Sequence, residues 1–205
     1  MRLTKIVCVG RNYLEHAKEL GNEMPKEPLI FLKPPSAVIG DGQPIRLPEM
    51  SKQVEYEGEI GIIVGERLTN ASESEARAAV LAIAAVNDVT ARDLQKSDSQ
   101  WTRAKGFDTF CPVGVPHEAP NDLGSLQVLT RVNGVERQRG RSSDMAFSIP
   151  MVLSFISRIM TLEPGDLVLT GTPAGVGTLK PGDVVEVEIP GVSQVRNPVV
   201  EADAV

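Results

Sequence analysis

Apolar residues along this chain fall in short runs separated by glycine and proline, a pattern that predicts many strands joined by turns. Lys5–Val9 reads as a strand. Asn12 then opens a short helix over Tyr13–Leu20, with Glu15 three residues on as in a capping box and Gly21 as its stop. From Glu27 to Pro48, the stretch containing PLIFLKPPSAVIG reads as extended and punctuated by proline. Ser72 with Glu75 forms a second capping-box signature, for a helix running to about Val80, and a strand over Ile83–Val89 follows. LQVLTRVNGVERQRG predicts a hairpin turning at Asn133–Gly134, and Ser148–Met160 has helical periodicity with Pro150 in its first turn. DLVLTGTPAGVG and DVVEVEIPGV add strands around a glycine-rich loop. The fold class is α+β, mainly β with a few short helices.

Composition narrows the possible roles. A chain of 205 residues is most simply a single domain over 1–205, burying about 70% of its unfolded surface. Net charge is −6 and aromatics are 4% of residues, so the surface repels nucleic acid and offers few stacking platforms. An anionic substrate therefore needs a local positive site working against the global field. The longest apolar run, Ala78–Val86, is too short to span a bilayer, and MRLTKIVCVGRNY reaches polar residues too soon for a signal peptide. Cys8 and Cys111 are the only cysteines, and buried thiols in a reduced, cytoplasmic setting are the expectation.

Acidic residues bring chemistry into the picture. In a strand, alternate side chains share a face, so Glu57 and Glu59 of EYEGEIGIIVG project together, roughly 7 Å apart. Asp88 ends the apolar run AVLAIAAV and is delivered to the rim of the core. Three hard oxygen ligands without a nearby histidine suit Mg²⁺ or Mn²⁺ better than zinc. Glu55 lies on the same face, however, and a row of glutamates is equally the signature of a solvated strand face. Spacing alone does not choose among them.

His16 and Glu19 lie at i, i+3, where the carboxylate can orient the imidazole as a general base. An isolated H-x-x-E is also an ordinary surface pair. His117, in the proline-bounded VPHEAP, reads as a bystander. Arg92 and Gln95 follow Asp88 by four and seven residues and share its side if the chain turns helical there. Arg11 in GRNY is either an anion contact or half of a surface ion pair. TGTPAGVG lacks the patterns of nucleotide-binding loops, although its glycines can bring backbone N–H groups close to a small anion.

Several strings converge: CVGRNYLEHAKELG, LKPPSAVIG, EYEGEIGIIVG, NDVTARDLQ, WTRAKGFDTFCPVG and LEPGDLVLTGTPAGVG. In this order they resemble the fumarylacetoacetate hydrolase family, in particular its short single-domain, acylpyruvase-like branch, from about Lys5 to about Val200. The resemblance implies the catalytic core alone, a layered, rolled β-sheet with peripheral helices, and a homodimer. It implies Mg²⁺ or Mn²⁺ held by Glu57, Glu59 and Asp88, and leaves Glu55 out. It makes His16 and Glu19 the acid–base pair, on a segment that acts as a lid. Lys105 would hold a substrate oxygen and stabilise an enolate, Arg92 and Gln95 would reach the substrate carboxylate, and Thr172 would line the pocket.

The activity implied is hydrolysis of a carbon–carbon bond in a small 2,4-dioxo acid, an acylpyruvate or fumarylpyruvate, giving pyruvate and a carboxylic acid. Oxaloacetate decarboxylation and isomerisation of an unsaturated 2-oxo dioic acid are the nearest alternatives, and a non-catalytic ligand-binding relative is the remote one. The stretch KSDSQ between Gln95 and Trp101 is short for a pocket border, which bears on substrate size.

Overall fold

The computed structural model describes residues 3–19, 21 and 25–201. Strand alternation builds its frame. In Ile6–Gly10, Val7 and Val9 join one apolar cluster while Ile6 and Cys8 join another, so both faces of this strand are buried. It pairs in parallel with Leu167–Leu169 and antiparallel with Leu29–Lys33. The same six-stranded sheet continues through Gly58–Val64 and Val80–Asn87 to the short edge strand His117–Glu118. A five-stranded sheet has the order Val135–Arg141, Gln127–Val132, Val184–Ile189, Ser193–Glu201, Ile45–Leu47.

Two small sheets complete the layers. One joins Gly177–Thr178, Val54–Tyr56 and Thr90–Ala91, and the other joins Val38–Ile39 to Cys111–Pro112. The main core forms where the large sheets pack: Val7, Ile60 and Ile62 from one meet Val128, Val187 and Val195 from the other. Val152, Leu153 and Ile156 of the helix Ile149–Ser157 close it. The fold is mainly β. Among the described residues no helix is long and apolar enough to cross a membrane.

Local signals account for several elements. Ser72 accepts a hydrogen bond from the Glu75 N–H while the Glu75 carboxylate accepts from the Ser72 N–H at 2.8 Å, the reciprocal box expected for the helix Glu73–Ala78. That helix stops two residues earlier than expected, and the next strand starts at Val80 instead of Ile83. Ladder pairing with Gly58–Val64 reaches as far as Val80 opposite Val64, and sheet hydrogen bonds win over another helical turn. The Asn133–Gly134 turn has φ of 53° and 77°, the left-handed pair that a two-residue hairpin needs.

The first helix, Leu14–Glu19, differs in how it starts. Asn12 does not cap it. Its amide nitrogen donates to the carbonyls of Phe147 (3.1 Å) and Thr170 (2.8 Å), and its oxygen accepts from the Phe147 N–H at 2.9 Å. A fully buried amide is worth more satisfied by three tertiary bonds than by one helical N–H. The expected end at Leu20 lies outside the described residues, and Gly21 adopts φ 67°, as a stop residue does.

Candidate active site

The glutamate strand is not continuous. Val54–Tyr56 and Gly58–Val64 belong to different sheets, and Glu57 stands at the break. Its N–H donates to the Asn87 side-chain oxygen at 2.9 Å, and its carbonyl accepts from the Asp88 N–H at 2.8 Å. These two bonds fasten Glu57 beside the end of Val80–Asn87, where Asp88 begins. Gly58 permits the approach: a Cβ there would stand 1.9 Å from the Thr130 hydroxyl oxygen. Glu57, Glu59 and Asp88 consequently bring carboxylate oxygens within 4.8 Å of one another.

The three carboxylates are 5%, 1% and 1% exposed, so this is no solvated face. Glu55 is buried as well, but it turns aside to Arg92 Nε (2.7 Å) and Gln53 (2.7 Å).

Cations balance most of this buried charge. Lys105 Nζ donates to Glu57 at 2.8 Å and to Asp88 at 2.6 Å. Arg92, opening the helix Arg92–Ser97, donates to Glu57, Glu55 and the Gln95 side-chain oxygen. Lys33 donates to the other Asp88 oxygen at 2.7 Å and to the Val89 carbonyl at 3.2 Å.

Lys33 was missing from the set read in the sequence. Its one signal is a lysine closing the apolar run LIFL, which alternation alone cannot distinguish from a charged strand end. Gln138, equally unforeseen, holds the floor by accepting from the Gly58 N–H and donating to Thr172 and the Pro173 carbonyl.

Burial alone would raise the Glu57 carboxyl, but Lys105 and Arg92 together hold it well below the usual carboxylate range. Burial and the nearby Asp88 and Glu57 push Glu59 well above it. Glu59 has no ion pair among the described residues, and its hydrogen bond comes from the Gly171 N–H at 2.6 Å. The Lys105 ammonium is held charged: burial opposes this, but Asp88 and Glu57 outweigh it. Three buried carboxylates, one of them without an ion pair among the described residues, fit a divalent ion of the Mg²⁺ or Mn²⁺ type.

His16 Nδ1 lies 3.2 Å from a Glu19 carboxylate oxygen, and the imidazole is buried against the same cavity. Glu19 does not line that cavity. It is tied instead to the glycine-rich loop, accepting from the Gly175 N–H at 3.0 and 3.2 Å. The N–H groups of Gly171 and Gly175 thus meet the protein's own carboxylates. Thr172 lines the cavity with its hydroxyl proton committed to the Gly58 carbonyl at 2.9 Å.

One cavity of about 410 Å³, its open mouth included, brings together His16, Glu57, Glu59, Asp88, Arg92, Gln95, Lys105 and Thr172. Arg11, Phe31 and Trp101 also line it. Phe31 and Trp101 meet edge to face at 5.2 Å, and the Lys105 ammonium lies 4.8 Å from the Phe31 ring centre.

The short KSDSQ stretch lets Gln95 and Trp101 both reach the cavity: Lys96 and Ser97 finish a helix, and Asp98 pairs with Arg103 at 2.6 Å. His117 is exposed on an edge strand, outside this cavity. Burial pushes both thiols up, Cys111 to about 12, so neither is a nucleophile.

Comparison with known proteins gives a consistent picture. Residues 5–200 match the family described as fumarylacetoacetate (FAA) hydrolase, C-terminal. A mitochondrial oxaloacetate tautomerase of Arabidopsis thaliana is 44% identical over 199 residues, covering 94% of this chain and 89% of the relative. A 5-carboxymethyl-2-hydroxymuconate delta-isomerase from Mycobacterium smegmatis superposes with a TM-score of 0.91 at 42% identity, over 98% of this chain and 80% of the other. A fumarylpyruvate hydrolase from Pseudomonas aeruginosa, solved with Mn²⁺ and pyruvate, gives a TM-score of 0.90 at 30% identity, over 97% and 90%.

Proposed function

Because this chain belongs to the fumarylacetoacetate hydrolase family, we propose that it is a divalent-metal enzyme hydrolysing a carbon–carbon bond of a small 2,4-dioxo acid. The supporting observation is the convergence of the Glu57–Glu59–Asp88 triad, Lys105 and His16 on one cavity, with Glu19 behind the imidazole. Glu57, Glu59 and Asp88 hold the cation, which when bound supplies Lewis-acid polarisation of the substrate's 2-oxo acid head.

Glu19 fixes the imidazole through Nδ1 and leaves Nε2 as the nitrogen available to the cavity. His16 takes a proton from water there, and the water oxygen attacks the distal carbonyl. The bond between that carbon and the methylene breaks, releasing a carboxylic acid and the enolate of pyruvate, which is protonated at carbon. Lys105, kept charged by two carboxylates, stabilises the enolate oxygen. Arg92 and Gln95, adjacent on one helical turn, orient the substrate carboxylate.

A second reading, enolisation or decarboxylation of oxaloacetate, uses the same head-group contacts without attack by water. The 44% identity to an oxaloacetate tautomerase supports it. Turnover of acetylpyruvate, fumarylpyruvate and oxaloacetate with Mg²⁺ or EDTA decides between them. Magnesium-dependent cleavage of a diketo acid is the expected result. Consumption of oxaloacetate alone transfers the assignment to the second reading, and inertness toward all three overturns both.

A further inference from the structure

The cations nearest the acid triad are all committed: Lys33 and Lys105 to Asp88, and Arg92 to Glu55, Glu57 and Gln95. Arg11 lines the same cavity, and its guanidinium has no ion pair or hydrogen bond among the described residues. Its backbone is held at φ 58°, a left-handed conformation that residues with a Cβ disfavour.

Its neighbours on both sides are held in place. Asn12 is fixed by its three tertiary hydrogen bonds, and Gly10 packs so closely on Trp101 that a Cβ would lie 3.1 Å from the ring. A strained backbone thus presents an unpaired cation to a cavity whose head-group contacts are already supplied by other residues. Phe31 and Trp101 add apolar wall for a carbon chain.

We propose that Arg11 binds the distal carboxylate of the substrate, so that the site takes 2-oxo dicarboxylic acids in preference to 2-oxo acids with an uncharged tail. The inference rests on the reading that the triad's cation holds the 2-oxo acid head. A guanidinium fork suits such a carboxylate, and partial desolvation within the cavity strengthens the pair.

The test compares 2-oxoglutarate with 2-oxopentanoate, which share head and chain length and differ in the distal carboxylate. Calorimetry on the magnesium-loaded protein is expected to show the dicarboxylate binding about tenfold tighter or more. Arg11→Gln is expected to abolish that preference while leaving 2-oxopentanoate affinity within about twofold, and Arg11→Lys to restore part of it. Equal binding of both acids by the wild type, or equal weakening of both by Arg11→Gln, overturns the role of Arg11 alone. Binding of neither acid, with magnesium demonstrably bound, overturns the head-group reading together with it.

Discussion

Lys105 stands 2.8 Å from a Glu57 oxygen and 2.6 Å from an Asp88 oxygen, so its ammonium is hydrogen-bonded to two metal-ligand candidates at once. Its charge competes with a bound cation electrostatically while helping the reaction. Replacing it by methionine is therefore expected to lower turnover about 10²–10³-fold without weakening magnesium binding. Steady-state rates beside a metal titration check this, and a parallel loss of affinity would assign Lys105 a packing role. Glu59 sets the pH behaviour. The cation binds its carboxylate form, and burial with two acidic neighbours raises its pKa, so each proton must be displaced below that point. Magnesium affinity is expected to rise with pH above the ordinary carboxylate range, with proton release measurable by calorimetry in two buffers. Glu59→Gln should flatten the dependence.

Among the elements, the break between Val54–Tyr56 and Gly58–Val64 controls the site. Gly58→Ala would force a methyl group against Thr130, at a cost of about 1–3 kcal/mol, and would displace both flanking glutamates. Denaturant unfolding and metal titration of this variant should both report a loss. Gly134→Ala is the control: φ 77° makes it strained by about 1 kcal/mol, but a hairpin tip away from the cavity should leave metal affinity unchanged. The helix Leu14–Glu19 is coupled to the glycine-rich loop through Glu19, so its position depends on both Asn12 and Gly175.

At the scale of the whole molecule, a cation that binds the folded triad and not the unfolded chain must stabilise the fold. At magnesium one hundredfold above its dissociation constant the gain is about 2.7 kcal/mol. For a chain of this size that corresponds to a melting temperature about 5–10 °C higher than in EDTA. Glu57→Gln and Asp88→Asn should each abolish the shift, and a shift that survives both would place the cation elsewhere.

Short-range physics was legible in the sequence. A short apolar run predicted the strand over Lys5–Val9, which the structure sets at Ile6–Gly10; the Ser72–Glu75 box predicted a helix start, and Asn133–Gly134 predicted a hairpin, because each depends on residues within a few positions. The acidic positions and the i, i+3 pair were legible for the same reason, and the resemblance chose among them. Tertiary structure alone decided how those acids are held. Glu57 is turned by Asn87, thirty residues away, and Asp88 is gripped by Lys33 from fifty-five residues away. It also spent the Asn12 amide on Phe147, 135 positions distant, and left Arg11 strained and unpaired at the cavity among the described residues. A buried polar group takes whichever partner the packed sheets bring to it, and local propensity carries no information about that partner.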